Sequence, residues 1–374
     1  MYMRILITGG AGFIGSHLAR RLTKVGHSVT ILDSFLPQVH GYKPDISVSN
    51  CEIIRADVRE VDAVAGAMAG VDVVHHLAAE TGVGQSQYEI GRYVSTNTYG
   101  TSVVLEAAVA AKVGQVVIAS SRAIYGEGQH NCPRCRLTIS AGERQSVDLD
   151  AGRWDVLCPK CNGPMDPLPM SEDTPAAPSS IYGITKLQQE QLALSVSRTH
   201  SLPVTILRFF NVFGPGQALR NPYVGVLGTF FRRALAKETA EVYEDGYMLR
   251  DFIFVEDLVN ALVLSTGNAR AFGETFNVGT GIAVDLKSVA AEIFHALDSE
   301  PHLVVSGRYR LGDVRHTIAD ISRLSSLLDF RPQISFQQGL KLYVEWALTQ
   351  PEHVIGTRAE QQLLEHNLLR QGGR

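Results

Sequence analysis

No apolar stretch in these 374 residues approaches the roughly 20 needed to span a bilayer. Neither sign of charge prevails: 34 Lys and Arg stand against 38 Asp and Glu, well mixed, for a formal net charge of -4. That balance gives no large field for drawing in nucleic acid or an anionic membrane, so a small-molecule partner is expected. The segment Met1 to Thr8 carries one Arg and runs straight into apolar residues without a small-residue cleavage site; no secretory signal is read there, and a cytoplasmic location is expected. Cysteine is scarce as well. The five cysteines do not suit a disulfide framework in a reducing compartment, yet four of them form two Cys-x-x-Cys pairs. Internal repeats and low-complexity tracts are missing. What is abundant is core material, at 45% hydrophobic residues, enough for one large or two modest domains.

Short β-branched runs alternate with amphipathic stretches through the first half. Residues 4–8, 29–32, 53–56, 71–77, 116–120 and 204–208 read as strands, with 276–278 as a further edge strand and a helix over 181–198. Their nearly continuous apolar character predicts strands buried on both faces: an α/β fold with a Rossmann-type, doubly wound parallel sheet. From about Gly214 the rhythm loosens, which predicts a smaller substrate lobe interleaved with the first. The expected division is 1–213 plus 250–283 for the larger lobe, 214–249 plus 284–350 for the smaller, and a polar tail, 351–374, that frays as termini commonly do.

Between the first strand and the first helix lies Thr8-Gly9-Gly10-Ala11-Gly12-Phe13-Ile14-Gly15. Glycines at every third position let the backbone turn sharply and approach a pyrophosphate, whose charge the helix N-terminal N–H groups then meet. The spacing differs from the commoner Gly-x-Gly-x-x-Gly. Asp33 ends the second strand, 18 residues past Gly15, where its carboxylate suits ribose hydroxyls and would repel a 2'-phosphate; this favours NAD over NADP. The alternative for Asp33 is a helix or turn cap. Asp57 is placed either at the adenine amino group or in a solvated turn.

Tyr182 and Lys186 are four residues apart at the start of a helix and so share one face. An ammonium beside a phenol stabilises the phenolate and equips the tyrosine as a general base, though the spacing alone also describes a surface pair. Taken with Ser120-Ser121, Tyr125-Gly126, His76-Leu77-Ala78-Ala79, Asn97, the run from Arg208 to Pro215, Arg250-Asp251-Phe252 and Arg310-x-Gly312-Asp313, the chain resembles the extended short-chain dehydrogenase/reductase family from Gly9 to about residue 345.

That resemblance implies an enzyme in which Tyr182 takes a proton from a sugar hydroxyl, Ser121 hydrogen-bonds the same oxygen, and Lys186 holds the nicotinamide ribose. It implies an NAD site made of Gly9, Gly12, Phe13, Ile14, Gly15, Asp33, Asp57, Val58, Leu77, Ala78, Ala79, Asn97, Tyr182 and Lys186. It assigns a nucleotide-sugar substrate to Ser121, Arg122, Gln85, Ser86, Asn211, Tyr223, Arg250, Arg310 and Asp313, the arginines being suited to bidentate phosphate contacts. A homodimer through the Tyr182 helix and the helix near 97–111 follows by the same resemblance.

The scaffold hosts several reactions, so residues must choose among them. The family's dehydratases resemble Thr-Asp-Glu where this chain has Ser121, Arg122 and Ala123, and its decarboxylases generally keep a glutamate at Ala123; the acids for both are missing. Epimerisation at C4 needs only Tyr182, Lys186, Ser121 and NAD. Gly82 to Ser86, Gln217-Ala218-Leu219 and Asn221-Pro222-Tyr223 are similar to the dTDP-L-rhamnose 4-epimerase group. Arg122, which that chemistry does not require, is expected as a packing or solvent-facing residue; the alternative, an approach to sugar C6, would make a UDP-glucuronate 4-epimerase. A non-catalytic NAD-binding scaffold is the rival from another class, weakened because Tyr182 and Lys186 are both retained.

Cys132-Pro133-Arg134-Cys135 and Cys158-Pro159-Lys160-Cys161 have the spacing of a zinc ribbon. Two thiolate pairs on tight turns predict a closed, structural zinc site, since four cysteines leave no position for water. The insert, residues 129–167, carries five basic and five acidic residues, which argues against a phosphate-backbone surface. It is expected to pack beside the sugar pocket or against a partner subunit.

Overall fold

The computed structural model describes residues 2–41, 50–223, 225–350 and 358–373. Seven parallel strands form the central sheet, in the spatial order Thr275–Val278, Val204–Phe209, Gln115–Ser121, Val73–His76, Arg4–Thr8, Ser28–Asp33, Glu52–Arg55. Every strand expected from the sequence is present within a few residues, and Thr275–Val278 is indeed an edge. The two faces feed different cores because alternate side chains point to opposite sides. Ile5, Ile7, Val117 and Leu207 join one cluster, while Leu6, Val116, Ile118 and Ile206 join the other.

The strand order reverses between Arg4–Thr8 and Val73–His76, and such a switch point opens a crevice at the carboxyl ends of the strands. The helix Phe13–Lys24 leaves the first strand through the glycine loop. On the other side of the crevice the helix Ile181–His200 begins at Ser180, whose side chain caps it by accepting from the Gly183 N–H at 3.1 Å.

A second sheet joins Asn211–Phe213, Leu249–Phe254, Ala283–Asp285 and His316–Thr317. Leu249–Phe254 therefore belongs here, and the chain's return to the larger sheet begins with the helix Val255–Ser265, not at Arg250. An apolar strand buried on both faces has the same pattern in either sheet, so its partner is not readable from periodicity. Phe213, Phe252 and Phe254 share one hydrophobic cluster with Ile5 and Ile7, making the core continuous between the sheets.

The tail does not fray where it is described. Arg358–Glu365 is a helix, and Leu369–Gln371 pairs antiparallel with Arg308–Arg310. Leu363 and Leu369 are buried and contribute an apolar anchor to an otherwise polar segment. Among the described residues, no helix is long and apolar enough to cross a membrane.

Candidate active site

A cleft of about 720 Å³ runs from the glycine loop, past Tyr182, to Arg122, Arg250 and Arg310, of which Arg250 lies on the second sheet. At its first end Gly9 has φ +67°, and a Cβ there would lie 2.7 Å from the Ala78 nitrogen; at Gly15 a Cβ would lie 2.4 Å from the Gly9 carbonyl oxygen. These two glycines are required by backbone packing alone. Gly12 is different: its nearest clash is 3.3 Å, and it opens the floor of the cleft. Gly12 also caps the helix without a side-chain acceptor, which leaves first-turn N–H groups, near Phe13 and Ile14, for an anion. A cradle of bare glycines at an uncapped helix start fits a dinucleotide pyrophosphate.

Asp33 lies at the far side of this cradle, where it accepts from the Ala11 N–H at 3.1 Å and the Phe35 N–H at 2.8 Å. It caps the loop and lines the cleft at once, so the two readings of this residue are compatible. Asp57 and Val58 line the cleft too, but the Asp57 carboxylate is gripped by the Arg59 guanidinium at 2.7 and 2.8 Å, which holds its pKa below the usual carboxylate range. Leu77, Ala78 and Ala79 form the wall beside them.

At the centre, Tyr182, Ser121 and Lys186 converge. Burial raises the Tyr182 pKa, whereas a hydrogen bond with Ser121 and the charge of Arg122 pull it down. The Ser121 Oγ accepts from the Ala123 N–H at 3.1 Å, and its own O–H is directed to the Tyr182 phenol. Lys186 donates from Nζ to the Ala119 carbonyl at 2.8 Å, and burial lowers its pKa to about 7, opposed by the negative charge of Glu190. Glu190 was not singled out in the sequence, although it continues the four-residue spacing of Tyr182 and Lys186; it accepts from Arg208 at 2.8 and 3.0 Å.

Arg122 is not at the surface. It lies in the cleft, donating from Nε to the Asn211 side chain at 3.0 Å, and burial with the nearby Arg250 lowers its pKa to about 10. The solvent-facing alternative is thereby corrected: the short 3-10 turn Arg122–Ile124 that follows the strand swings the side chain inward, against Asn211. Arg310 donates to Asp313 at 2.6 Å while its buried Nε has no protein partner, a free guanidinium N–H suited to a phosphate oxygen. Neighbouring guanidinium groups hold the Asp313 carboxyl well below the usual range. Arg250 lines the cleft but directs its terminal nitrogens to the carbonyls of Leu249, Val314 and Arg315, so it also fixes the backbone beyond Asp313.

Gln85 and Tyr223 line the cleft, and the Tyr223 hydroxyl bonds to Gln362 of the C-terminal helix and accepts from Tyr88 at 2.6 Å. That helix contributes Ala359, Glu360 and Leu363 to the lining, a contribution the polar sequence did not announce. Two expected contacts are not brought to the cleft. Ser86 is fully buried and accepts from the Tyr182 N–H at 3.0 Å, anchoring the helix start. Asn97, turned inward by the π-helical segment Val94–Tyr99, accepts from the Glu80 N–H at 2.8 Å and donates to Thr185 at 3.0 Å. Both act on site-bearing segments, a distinction that local sequence does not encode.

Away from the cleft, Cys132, Cys135, Cys158 and Cys161 bring their sulfurs within 4.8 Å of one another. The Cys135 N–H donates to the Cys132 sulfur at 3.3 Å, the kind of backbone contact that stabilises a thiolate. A sheet of Gln129–Asn131, Thr138–Ser140 and Asp166–Pro167 carries the insert, whose own core is little more than Cys132, Cys158 and Met165. So small a core and four converging sulfurs fit a tetrahedral soft metal ion.

A model of the NAD dependent epimerase/dehydratase family matches residues 5–142 and 160–279. The chain belongs to this family. The match is interrupted only within the cysteine insert. A dTDP-L-rhamnose 4-epimerase of Burkholderia thailandensis is 35% identical over 350 residues, covering 92% of this chain and 94% of the relative. A UDP-N-acetyl-alpha-D-glucosaminuronate decarboxylase of Bacillus cytotoxicus is 32% identical over 357 residues, covering 92% and 98%. The solved structure of MoeE5 in complex with UDP-glucuronic acid and NAD has a TM-score of 0.74 at 31% identity, covering 92% of this chain and 99% of that one. As an epimerase/dehydratase family enzyme, the chain has NAD as its cofactor.

Proposed function

We propose that the chain is an NAD-dependent nucleotide-sugar 4-epimerase acting on a dTDP- or UDP-hexose. One observation carries the reading: Tyr182, Ser121 and Lys186 line one cleft between the glycine cradle and Arg310, with Arg122 beside Tyr182 and an alanine, not an acid, at position 123. NAD, when bound, would supply the hydride acceptor for sugar C4 and, once the 4-keto sugar has turned its other face toward it, the donor for the hydride's return. The Tyr182 phenolate oxygen takes the C4 hydroxyl proton and gives it back, while the Ser121 O–H, turning from the phenol to the substrate, donates to the C4 oxygen. Lys186, one of whose protons is on Ala119, has two more for the ribose hydroxyls of the cofactor. Arg310 and its neighbours hold the diphosphate, which keeps the sugar near the tyrosine while leaving it able to turn about its link to the nucleotide.

A second reading is supported by Arg122. A guanidinium in the cleft beside Tyr182 suits a C6 carboxylate, which makes UDP-glucuronate the alternative substrate class. Turnover of neutral and acidic nucleotide sugars by Arg122→Ala separates the two: loss confined to the acidic sugar supports the carboxylate role, and equal loss on both removes it. The four cysteines are proposed to hold one structural zinc ion, and the helix Ile181–His200 to lie in a homodimer interface within the cytoplasm.

The primary test is incubation of the purified protein with UDP-, dTDP- and GDP-sugars, without added reductant, followed by isomer separation. Interconversion of one pair is expected, and Tyr182→Phe should lower its rate about 100-fold or more. Interconversion of no pair, or full activity in Tyr182→Phe, overturns the reading.

A further inference from the structure

The cysteine insert meets the Arg310–Asp313 end of the cleft chiefly through Arg144. Arg144, between the two cysteine pairs, has only 5% of its side chain exposed. All five of its N–H donors are used. Nε bonds Glu127 at 2.7 Å; Nη1 bonds the Trp154 carbonyl and Glu244, both at 3.0 Å; Nη2 bonds Glu244 at 2.9 Å and the Asp313 carbonyl at 3.1 Å. Glu127 in turn accepts from the Arg315 N–H at 3.0 and 3.1 Å, two residues past Asp313.

A second contact flanks the other side of the same turn. The Tyr309 hydroxyl donates to Asp150 of the insert at 2.6 Å, and the Trp154 ring lies 6.2 Å from the Tyr309 ring. Tyr309 immediately precedes Arg310 in the strand Arg308–Arg310, so their side chains point to opposite faces. One face meets the insert. The other presents Arg310 to the cleft.

We propose that the four-cysteine insert is a brace for the turn from Arg310 to Asp313, and that Arg144 is the positioning residue that sets it. The proposal rests on the reading that Arg310, oriented by Asp313, holds the nucleotide diphosphate. Without the brace, that turn must be ordered when the nucleotide binds, which weakens binding and leaves the chemical step at Tyr182 unaltered. A contact serving stability alone would leave affinity in the folded protein unchanged.

The test uses NAD-loaded full-length protein and Arg144→Lys, which keeps a cation between Glu127 and Glu244 but lacks the fork that also reaches Asp313. Calorimetric Kd values for dTDP and UDP alone should rise about tenfold for the nucleotide the enzyme prefers, and KM should follow with kcat within about twofold. An unchanged Kd in the folded variant, or a lowered kcat at constant KM, overturns the brace. Should Arg144→Lys not fold, Tyr309→Phe, which removes only the hydroxyl on Asp150, decides by the same criteria. Arg310→Ala serves as the control: if it leaves Kd unaltered, the nucleotide reading itself fails, whereas weakened binding there with unchanged Kd in the brace variants rejects the brace alone.

Discussion

The phenol of Tyr182 is under opposed influences. Burial keeps its proton on, while the Ser121 hydrogen bond and the Arg122 charge favour releasing it. Removing Arg122 takes away a positive neighbour, so the Tyr182 pKa must rise. In Arg122→Ala the acid limb of the kcat/KM profile is accordingly expected to move to higher pH, as read by initial rates across the pH range in which the enzyme stays folded. A limb that stays in place would mean that Arg122 does not act on the phenol. At this scale the sequence was most informative where a residue type has few other uses. Glycines three apart and a Tyr-x-x-x-Lys pair led to Gly9, Gly12, Gly15, Tyr182 and Lys186, all of which line the cleft. The inward rotation of Arg122 depended on a three-residue turn with no signature of its own, and the burial of Ser86 and Asn97 depended on neighbours brought from far along the chain.

Two inserted or appended elements modify the site in different ways. The bounds of the cysteine insert were legible because Cys-x-x-Cys spacing is specific; its strands begin at Gln129 and end at Pro167. Its attachment through Arg144 was not, since an arginine among balanced charges has no pattern to reveal a buried partner. If the cysteines hold zinc, elemental analysis should find about one metal equivalent per chain, and Cys158→Ser should lose it. The same variant should show a lower Tm and a raised KM, because the insert has almost no apolar core to fall back on. Retention of the metal by Cys158→Ser would rule out the four-sulfur site. The C-terminal helix was the element least visible in the sequence. Its docking relies on Leu363, on the bonds of Gln362, and on His366 stacked 4.5 Å from Tyr88, none of which forms a periodic pattern.

Across the whole molecule, the central sheet was readable because doubly buried strands leave nearly unbroken apolar runs. The order of strands follows from connection rules and not from any residue, and Leu249–Phe254 shows the limit: its pattern gave the strand but not the sheet. The fold also carries a pH-dependent cost at its centre. Lys186 has a folded pKa of about 7, below the roughly 10.4 of an exposed lysine, so the unfolded chain binds the extra proton between these values. Global stability from this group therefore rises with pH across that window, and the cost is greatest below pH 7. NAD-free Lys186→Met should exceed the parent in stability at pH 6 by on the order of 2–5 kcal/mol, the gap narrowing toward pH 10 in urea titrations. A gap independent of pH would show that the buried ammonium is not its source.

The pairing of Leu369–Gln371 with Arg308–Arg310 has a consequence in time as well as in space. These strands are about 60 residues apart, and a ribosome adding roughly 5–20 residues each second makes the second one about 3–12 s after the first. Throughout that interval the strand bearing Arg310 has an unpaired edge, and the nascent enzyme has a nucleotide cleft with one wall missing. The strand bearing Arg310 thus gains its partner only after Leu369–Gln371 has been made, and a chaperone that shields its edge until then would protect it from pairing with another chain.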